Sequence, residues 1–281
     1  MALPQHATRL ERIWHRTYLV ICGLIFFFLI APIIVIIPLS FNAEPYFTFT
    51  PEMLTLDASG YSLRWYNTLL GSEEWLSAIG NSFFIAIIST LLSTTLGTLA
   101  ALGLSRREMP ARAAITAFLI SPMIVPLIIT AAALFSFYAR VNLAQTYLAI
   151  ILSHVVLGAP FVVITVTAAL AGFNNHLIRA SQSLGANQTT TFFKVILPLL
   201  LPGIIAGALF AFITSLDEVV VVLFLAGPEQ TPMTVRMFSG LREEISPTIL
   251  ALASILVALS IGLLTAMELI RRNSERQRTG G

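Results

Sequence analysis

The chain has 281 residues, of which 57% are hydrophobic and 11% charged, and its mean hydropathy is +0.87. A soluble domain carries about 25% charged residues, so this composition excludes a soluble globule, a disordered chain and a collagen-like fibre. An integral membrane protein remains. The 16 Lys and Arg residues against 14 Asp and Glu residues give a net charge of +2, too balanced to suggest a nucleic-acid partner.

Long apolar runs that are almost free of charge recur six times. In chain order they lie at 18–41, 79–104, 113–137, 147–171, 199–225 and 248–269. Each exceeds the roughly 18–20 apolar residues that cross about 30 Å of hydrocarbon as a helix, whereas barrel strands are about 10 residues long and alternate in polarity. We predict an all-α integral membrane protein with six transmembrane helices, forming one membrane domain over 18–270 between tails at 1–17 and 271–281.

Prolines inside the predicted spans indicate kinks in three of the helices. They lie in the first, third and fourth spans, at Pro32, Pro38, Pro122, Pro126 and Pro160. A proline inside a helix removes a hydrogen bond and frees a backbone carbonyl, which suits a gated pathway. The alternative is that proline is simply common in membrane helices.

The basic residues define the orientation of the spans through the positive-inside rule. Twelve lie in the tails and alternate loops of one side: Arg9, Arg12, Arg16, Arg106, Arg107, Arg112, Arg179, Lys194, Arg271, Arg272, Arg276 and Arg278. The opposite side has four: Arg64, Arg140, Arg236 and Arg242. Both termini are therefore predicted to be cytoplasmic.

No motif for chemistry on this chain is present, and we expect neither a catalytic nor a metal site. Lys194 is the only lysine, and it lies between Phe193 and Val195 rather than in the Gly-Lys-Ser/Thr of a P-loop. Cys22 is the only cysteine, which excludes an internal disulfide. His154 is the only histidine within a span, and we expect a hydrogen-bonded packing residue there rather than a ligand or a proton relay.

The loop 172–198 between the fourth and fifth spans predicts two short helices. Asn174 or Asn175 can cap the first helix, which runs to Leu184, and Gly185 can end it; Asn187 can cap the second. Leu177, Ile178, Ala180, Ser181 and Leu184 form an apolar stripe at helical spacing. The stripe could lie in the lipid interface, but the polar residues nearby are mostly uncharged, which favours a protein partner.

This loop resembles the EAA loop of ABC-importer permeases. The matching residues are Arg179-Ala-Ser-Gln-Ser-Leu-Gly-Ala186 followed by Ile196-Leu-Pro198. Asn81-Ser82 at the start of the second span is similar to the same superfamily. Arg179 stands where the family usually has its glutamate, and Ser181 replaces the second alanine.

The resemblance implies the type I ABC-importer permease fold, with a cytoplasmic coupling helix that docks on a separate ATPase. The residues implied in coupling are Arg179, Ala180, Ser181, Leu184, Gly185, Ala186, Leu197 and Pro198. It also implies that ATP and Mg²⁺ bind to the partner ATPase and that this chain holds no cofactor. The other implied partners are a second permease of different sequence, a periplasmic or extracellular solute-binding protein that contacts 226–245, and the lipid of a bacterial inner membrane.

Asp217 and Glu218 are the only acids well inside a predicted span. A carboxylate at the centre of a membrane helix is disfavoured by roughly 2.5–3.5 kcal/mol, so it usually faces a cavity or a partner. Adjacent residues are about 100° apart on a helix, so at most one of the two points into a central pathway. This pair either attracts a cationic substrate, or one of the two acids pairs with a neighbouring helix or with the partner permease.

Three segments resemble the second, C-type permease of the spermidine/putrescine branch: Ser215–Val219, Leu225–Pro228 and Arg242–Thr248. The resemblance implies import of a small cationic solute, a polyamine. The same class of permease with an amino-acid-derived amine, an opine, a phosphonate or iron as substrate is an alternative. An ion-coupled secondary transporter, with Asp217 or Glu218 carrying the proton, and a non-transporting membrane scaffold are alternatives from other classes.

Overall fold

The computed structural model describes residues 8–106, 108–174, 176–243 and 246–279. Arg107, Asn175 and the centre of the Arg242–Thr248 segment, named above, lie outside them. The described residues are mostly helical, as predicted. Their α-helices are α1 (Arg9–Leu39), α2 (Pro51–Leu54), α3 (Arg64–Gly71), α4 (Glu73–Leu104), α5 (Arg112–Ile120), α6 (Leu127–Arg140), α7 (Tyr147–Ala171), α8 (His176–Ser183), α9 (Gln188–Thr191), α10 (Leu197–Leu216), α11 (Val220–Leu225), α12 (Met233–Glu243) and α13 (Thr248–Thr279).

The chain divides into two compact units. One comprises Met1–Glu73 and Gly240–Gly281, and the other comprises Glu74–Ser239. Both candidate sites lie in the second unit. They are the loop 172–198, called the coupling loop below, and the acid pair Asp217 and Glu218. The single membrane domain over 18–270 stays a prediction.

In the first unit, α1 is an apolar helix with a well-defined start. The Thr8 side chain accepts a hydrogen bond from the Glu11 backbone N–H, and the Glu11 carboxylate accepts one from the Thr8 N–H, which forms a capping box. The most apolar stretch of α1 is not buried by the rest of the chain. An apolar helix with its backbone hydrogen bonds satisfied internally is stable when lipid surrounds it.

The segment that follows α1 is ordered around the buried Asn42 side chain. Asn42 Nδ2 donates to the Tyr46 carbonyl at 2.9 Å and to the Thr48 carbonyl at 2.8 Å. Trp65 Nε1 donates to the Asn42 carbonyl at 2.7 Å. Because a buried amide with unpaired polar atoms is costly, these bonds hold the segment in one conformation.

In the second unit, α7 packs against α10 over much of its length. A Cβ atom on Gly207 of α10 would lie 2.8 Å from the Val162 Cα atom of α7, so only glycine allows the two backbones to approach this closely. Val162, Val166 and Leu200 are buried at the contact. Close packing of small residues is the main source of helix association in membranes, and here it fixes α10 against α7.

The third span, predicted over 113–137 with kinks at its prolines, is sharply bent. α5 and α6 are bent by 98° relative to each other, with a 3₁₀ turn at Ser121–Met123 between them. Pro122 lies in that turn and Pro126 precedes the first residue of α6. Neither proline supplies a backbone N–H, and each restricts the residue before it, so the helix cannot continue through this segment.

The fifth span, predicted over 199–225, is also discontinuous. α10 ends at Leu216 and α11 begins at Val220, so residues 217–219 form a break. At its other end, α10 continues a π-helical turn, Phe192–Ile196, which itself follows α9.

The predicted number of six spans is not confirmed. Within the described residues, four helices are long and apolar enough to cross a membrane, and the bent pair α5–α6 makes a fifth if it is one span. The last predicted span corresponds to a shorter apolar stretch, Thr248–Gly262, at the start of α13.

Candidate functional site

The acid pair lies at the break between α10 and α11. Asp217 is the C-terminal cap of α10, and its backbone N–H donates to the Ile213 carbonyl at 3.0 Å. A helix carries partial negative charge at its C-terminal end and partial positive charge at its N-terminal end. Both kinds of helix end therefore meet within residues 217–219.

Glu218 is turned toward α11. Its side chain is buried, and Oε1 accepts a hydrogen bond from the Val221 backbone N–H at 2.8 Å. The Glu218 carbonyl also accepts a hydrogen bond from Thr234 Oγ1 of α12 at 3.3 Å. The carboxylate thus caps the N-terminal end of α11, where a negative charge is stabilised by the helix dipole.

Asp217 has the opposite environment. Its side chain is exposed, and its carboxylate accepts no hydrogen bond from any residue that the structure describes. It lies at the C-terminal end of α10, so the helix dipole adds to its negative charge instead of balancing it. Of the two acids, Asp217 is therefore the one available to a cationic ligand.

Within its last turn before the break, α10 is hydrogen bonded to α7. His154 Nδ1 and Ser215 Oγ are 2.7 Å apart, and both side chains are buried. His154 is thus a hydrogen-bonded packing residue, as predicted. Its other ring nitrogen, Nε2, is buried and has no hydrogen-bond partner among the described residues.

The coupling loop ends its first helix, α8, in a Schellman motif. The Ala186 N–H donates to the Ser181 carbonyl at 3.1 Å, and the Gly185 N–H donates to the Gln182 carbonyl at 2.9 Å. Gly185 has φ +83°, in the left-handed region that favours glycine. The prediction that Gly185 ends this helix is therefore confirmed, as are Asn174 at its start and Asn187 as the cap of α9.

The predicted apolar stripe on α8 divides into two faces. Ile178 and Ser181 are partly buried, and Ser181 Oγ lies 2.9 Å from Oγ1 of the buried Thr191 in α9. Leu177 and Leu184 are exposed, Leu184 to 88%. One face therefore holds the two short helices together, and the other presents apolar side chains outward.

The remaining residues predicted for coupling lie in α8, just after it, and at the start of α10. Arg179, Ala180 and Pro198 are exposed, while Ala186 and Leu197 are partly buried. Leu197 is the first residue of α10 and packs against the core that α10 forms with α7. The loop thus continues, through the π-helical turn, into the helix that carries the acid pair.

A second cluster, not found by sequence reasoning, holds the loop between α11 and α12. Asn81 Nδ2 donates to the Glu229 carbonyl at 2.8 Å and to the Thr231 carbonyl at 3.2 Å. Tyr147 Oη donates to Asn81 Oδ1 at 2.8 Å. These bonds fix the loop backbone while the Pro228 and Glu229 side chains stay exposed. The resemblance at Asn81-Ser82 marks one member of this cluster, but no local pattern predicts the carbonyls that Asn81 contacts.

Comparison with known proteins agrees with these observations. Residues 93–277 match the family described as binding-protein-dependent transport system inner membrane component. The spermidine/putrescine transport system permease protein PotC of Haemophilus influenzae is 32% identical over 89% of this chain and 94% of its own. The putrescine transport system permease protein PotI of Escherichia coli is 33% identical over 92% of each chain.

Solved structures share the fold. A bacterial ABC transporter involved in the import of the acidic polysaccharide alginate aligns with a TM-score of 0.70 at 15% identity, over 96% of this chain and 99% of that one. A bacterial alginate ABC transporter in complex with alginate pentasaccharide-bound periplasmic protein aligns with a TM-score of 0.65 at 20% identity, over 90% of this chain and 93% of that one. The chain therefore belongs to the binding-protein-dependent transport system inner membrane components, as a multi-pass permease subunit of an ABC importer.

Proposed function

We propose that this permease imports small polyamines, such as putrescine and spermidine. The observation that carries the proposal is the free carboxylate of Asp217 at the C-terminal end of α10, beside Glu218, whose charge is already engaged. The permeases named above, whose substrates are spermidine and putrescine, support the same substrate class.

The charge of a polyamine suits this site. An alkyl ammonium group loses its proton only near pH 10, so it is cationic at neutral pH. A unit charge 4 Å from a carboxylate gains about 4 kcal/mol at an effective dielectric constant of about 20. The partial negative charge at the end of α10 adds to this attraction, and an anionic solute would be repelled.

We propose that the exposed face of α8 docks on an ATPase subunit. Leu177 and Leu184 are exposed and supply an apolar contact, whereas the exposed Arg179 lies on the other side of the helix, about 200° from Leu177. ATP and Mg²⁺ bind to that ATPase, while this chain holds no cofactor. Closure of the ATPases would move α8 and α9 as one body, because Ser181 and Thr191 join them.

Two further partners are proposed. A second permease of different sequence completes the pathway, and a periplasmic solute-binding protein contacts the segment 226–245. The fixed loop with exposed Pro228 and Glu229 supports a rigid contact there. The alginate transporter solved with its periplasmic protein supports a binding-protein partner. Both termini are proposed to be cytoplasmic.

Reconstitution tests the substrate and the energy source together. The permease is placed in vesicles with the second permease, the ATPase and the binding protein that co-purify with it from membranes, and uptake of radiolabelled putrescine and spermidine is measured. We expect uptake to require ATP and to be insensitive to an uncoupler. Uptake without ATP that an uncoupler abolishes would show an ion-coupled transporter, and no polyamine uptake would contradict the proposed substrate.

Asp217 variants test the site in the same vesicles. A hydrogen bond to a charged group contributes about 1.5–3 kcal/mol, so Asp217→Asn should raise the half-saturating polyamine concentration about ten- to hundredfold. Asp217→Glu keeps the charge and is the matched control. Equal uptake kinetics for wild type and Asp217→Asn would exclude Asp217 as the cation ligand.

A further inference from the structure

The bond between His154 and Ser215 is a polar contact in an apolar layer. Ser215 is 7% exposed and His154 2%, and the two atoms that meet, Oγ and Nδ1, are 2.7 Å apart. Ala211, one turn before Ser215, and Gly158, one turn after His154, pack together at the same interface. An apolar side chain at either position would pack here without a polar group to satisfy.

The imidazole is also incompletely satisfied. Its Nε2 atom is buried and has no hydrogen-bond partner among the described residues, so the ring accepts a desolvation cost that a packing role alone does not require. The one hydrogen bond that the ring makes within the described part of the chain goes to the last turn of α10. The effect of the His154–Ser215 bond is therefore expected at the C-terminal end of α10.

Ser215 lies two residues before Asp217. Two residues correspond to about 200° around a helix, so the serine contacts α7 on the side opposite to the one where Asp217 is exposed. Because α10 ends at Leu216, few backbone hydrogen bonds fix its last turn, and a side-chain bond to a neighbouring helix restricts it.

We propose that His154 is a positioning residue which, through Ser215, holds the end of α10 and so orients the Asp217 carboxylate for the cationic substrate. The inference rests on the proposed polyamine site at Asp217. If the last turn of α10 moves freely, only a fraction of molecules present the carboxylate correctly, and the apparent dissociation constant rises by the inverse of that fraction.

A pair of histidine variants separates the two ring nitrogens. Asparagine places its terminal atoms near the position of the histidine Nδ1 atom, whereas glutamine places its own near Nε2. We expect His154→Asn to keep the bond to Ser215 and near-normal spermidine uptake in the reconstituted importer. His154→Gln and Ser215→Ala should each raise the half-saturating spermidine concentration about two- to tenfold, the value of one hydrogen bond, with a maximal rate close to wild type.

Asp217→Asn, measured in parallel, distinguishes failure of this inference from failure of the proposed function. If Asp217→Asn raises the half-saturating spermidine concentration but Ser215→Ala and His154→Gln do not, the positioning role is wrong and the substrate site stands. If Asp217→Asn has no effect, the substrate site itself is wrong. If His154→Gln has a wild-type half-saturating concentration and His154→Asn does not, the important ring atom is Nε2 and the inference is overturned.

Ser215→Ala also serves where a histidine variant fails to assemble, since it removes one oxygen atom from a small side chain. The yield of the complex with its ATPase, measured by co-purification, provides the structural readout. A loss of yield and of maximal rate with unchanged half-saturation would mark a purely structural bond and would overturn the inference.

Discussion

Asp217 and Glu218 are neighbours in the sequence, yet their side chains have different environments. Glu218 is buried and its carboxylate caps α11, whereas Asp217 is exposed at the end of α10. The difference arises because the chain breaks between the two helices, so that consecutive residues belong to ends of opposite polarity.

Replacing Glu218 should therefore affect stability more than substrate affinity. Loss of a capping side chain costs about 0.5–2 kcal/mol, so Glu218→Ala should lower the thermal unfolding midpoint of the purified protein in detergent. Glu218→Gln keeps a hydrogen-bond acceptor without the charge and should have a smaller effect. A Glu218→Ala variant that melts like wild type but needs much more spermidine for half-saturation would make Glu218 the substrate ligand.

Gly185 provides a second test at a single residue. Its left-handed conformation costs a residue with a Cβ atom roughly 1–2 kcal/mol, while asparagine adopts that conformation more readily. Because the space around Gly185 is open, the effect of Gly185→Val is conformational rather than steric. We expect Gly185→Val to reduce ATP-dependent uptake and ATPase co-purification, and Gly185→Asn to retain most of both. Equal behaviour of the two variants would argue against the αL turn as the determinant.

At the scale of elements, the contact between α8 and α9 includes one hydrogen-bonded pair of hydroxyls. Ser181 Oγ also lies 2.8 Å from the Ile178 carbonyl, so the serine is fixed on α8 and Thr191 is fixed to it. Residue 181 is where the family that this loop resembles usually has alanine. The serine therefore adds a connection that an alanine would not provide.

The two hydroxyls should show non-additive effects. Ser181→Ala leaves the buried Thr191 hydroxyl without this partner, at a cost of about 1–3 kcal/mol, whereas replacing both polar groups is nearly neutral. We expect Ser181→Ala to increase the ATP hydrolysed per spermidine transported, and the double variant with Thr191→Val to restore much of the coupling. Additive losses in the two single variants would show that the hydroxyls act independently.

The sequence predicted some breaks in the helices and missed others. Pro122 and Pro126 indicate a kink because proline cannot donate to the helix ladder, although the 98° angle depends on packing that no local pattern contains. No proline or glycine lies between Leu216 and Val220. Val220–Val222 are β-branched but lie within α11, so weak helix propensity does not account for the break, and no local pattern predicts it.

The candidate sites show the same division between local and long-range information. Gly185, Asn174 and Asn187 act within a few residues, so turn chemistry predicted the form of the coupling loop. The partner of His154 is 61 residues away in sequence. Asn81 reaches carbonyls 148 and 150 residues away. Such contacts arise only when helices pack, and a single sequence carries no record of them.

At the scale of the whole molecule, orientation can be measured with introduced cysteines, because Cys22 is the one native cysteine that has to be removed. In a Cys22→Ser background, single cysteines replace Leu184 and Glu229, both of which are exposed. A membrane-impermeant maleimide should label Glu229→Cys in intact spheroplasts and Leu184→Cys only after permeabilisation, since the basic loops are predicted to be cytoplasmic. The reverse labelling pattern would invert the proposed topology.

The break at residues 217–219 has a consequence for how such permeases diversify. The close contact of α7 with α10 at Gly207 fixes how these two helices pack, while the charge that the proposed site offers to a solute comes from Asp217, beyond the end of α10. With the proposed site, a substitution at the break would change the preferred cargo without rebuilding the helix bundle. The importer of an acidic polysaccharide shares this fold at 15% identity.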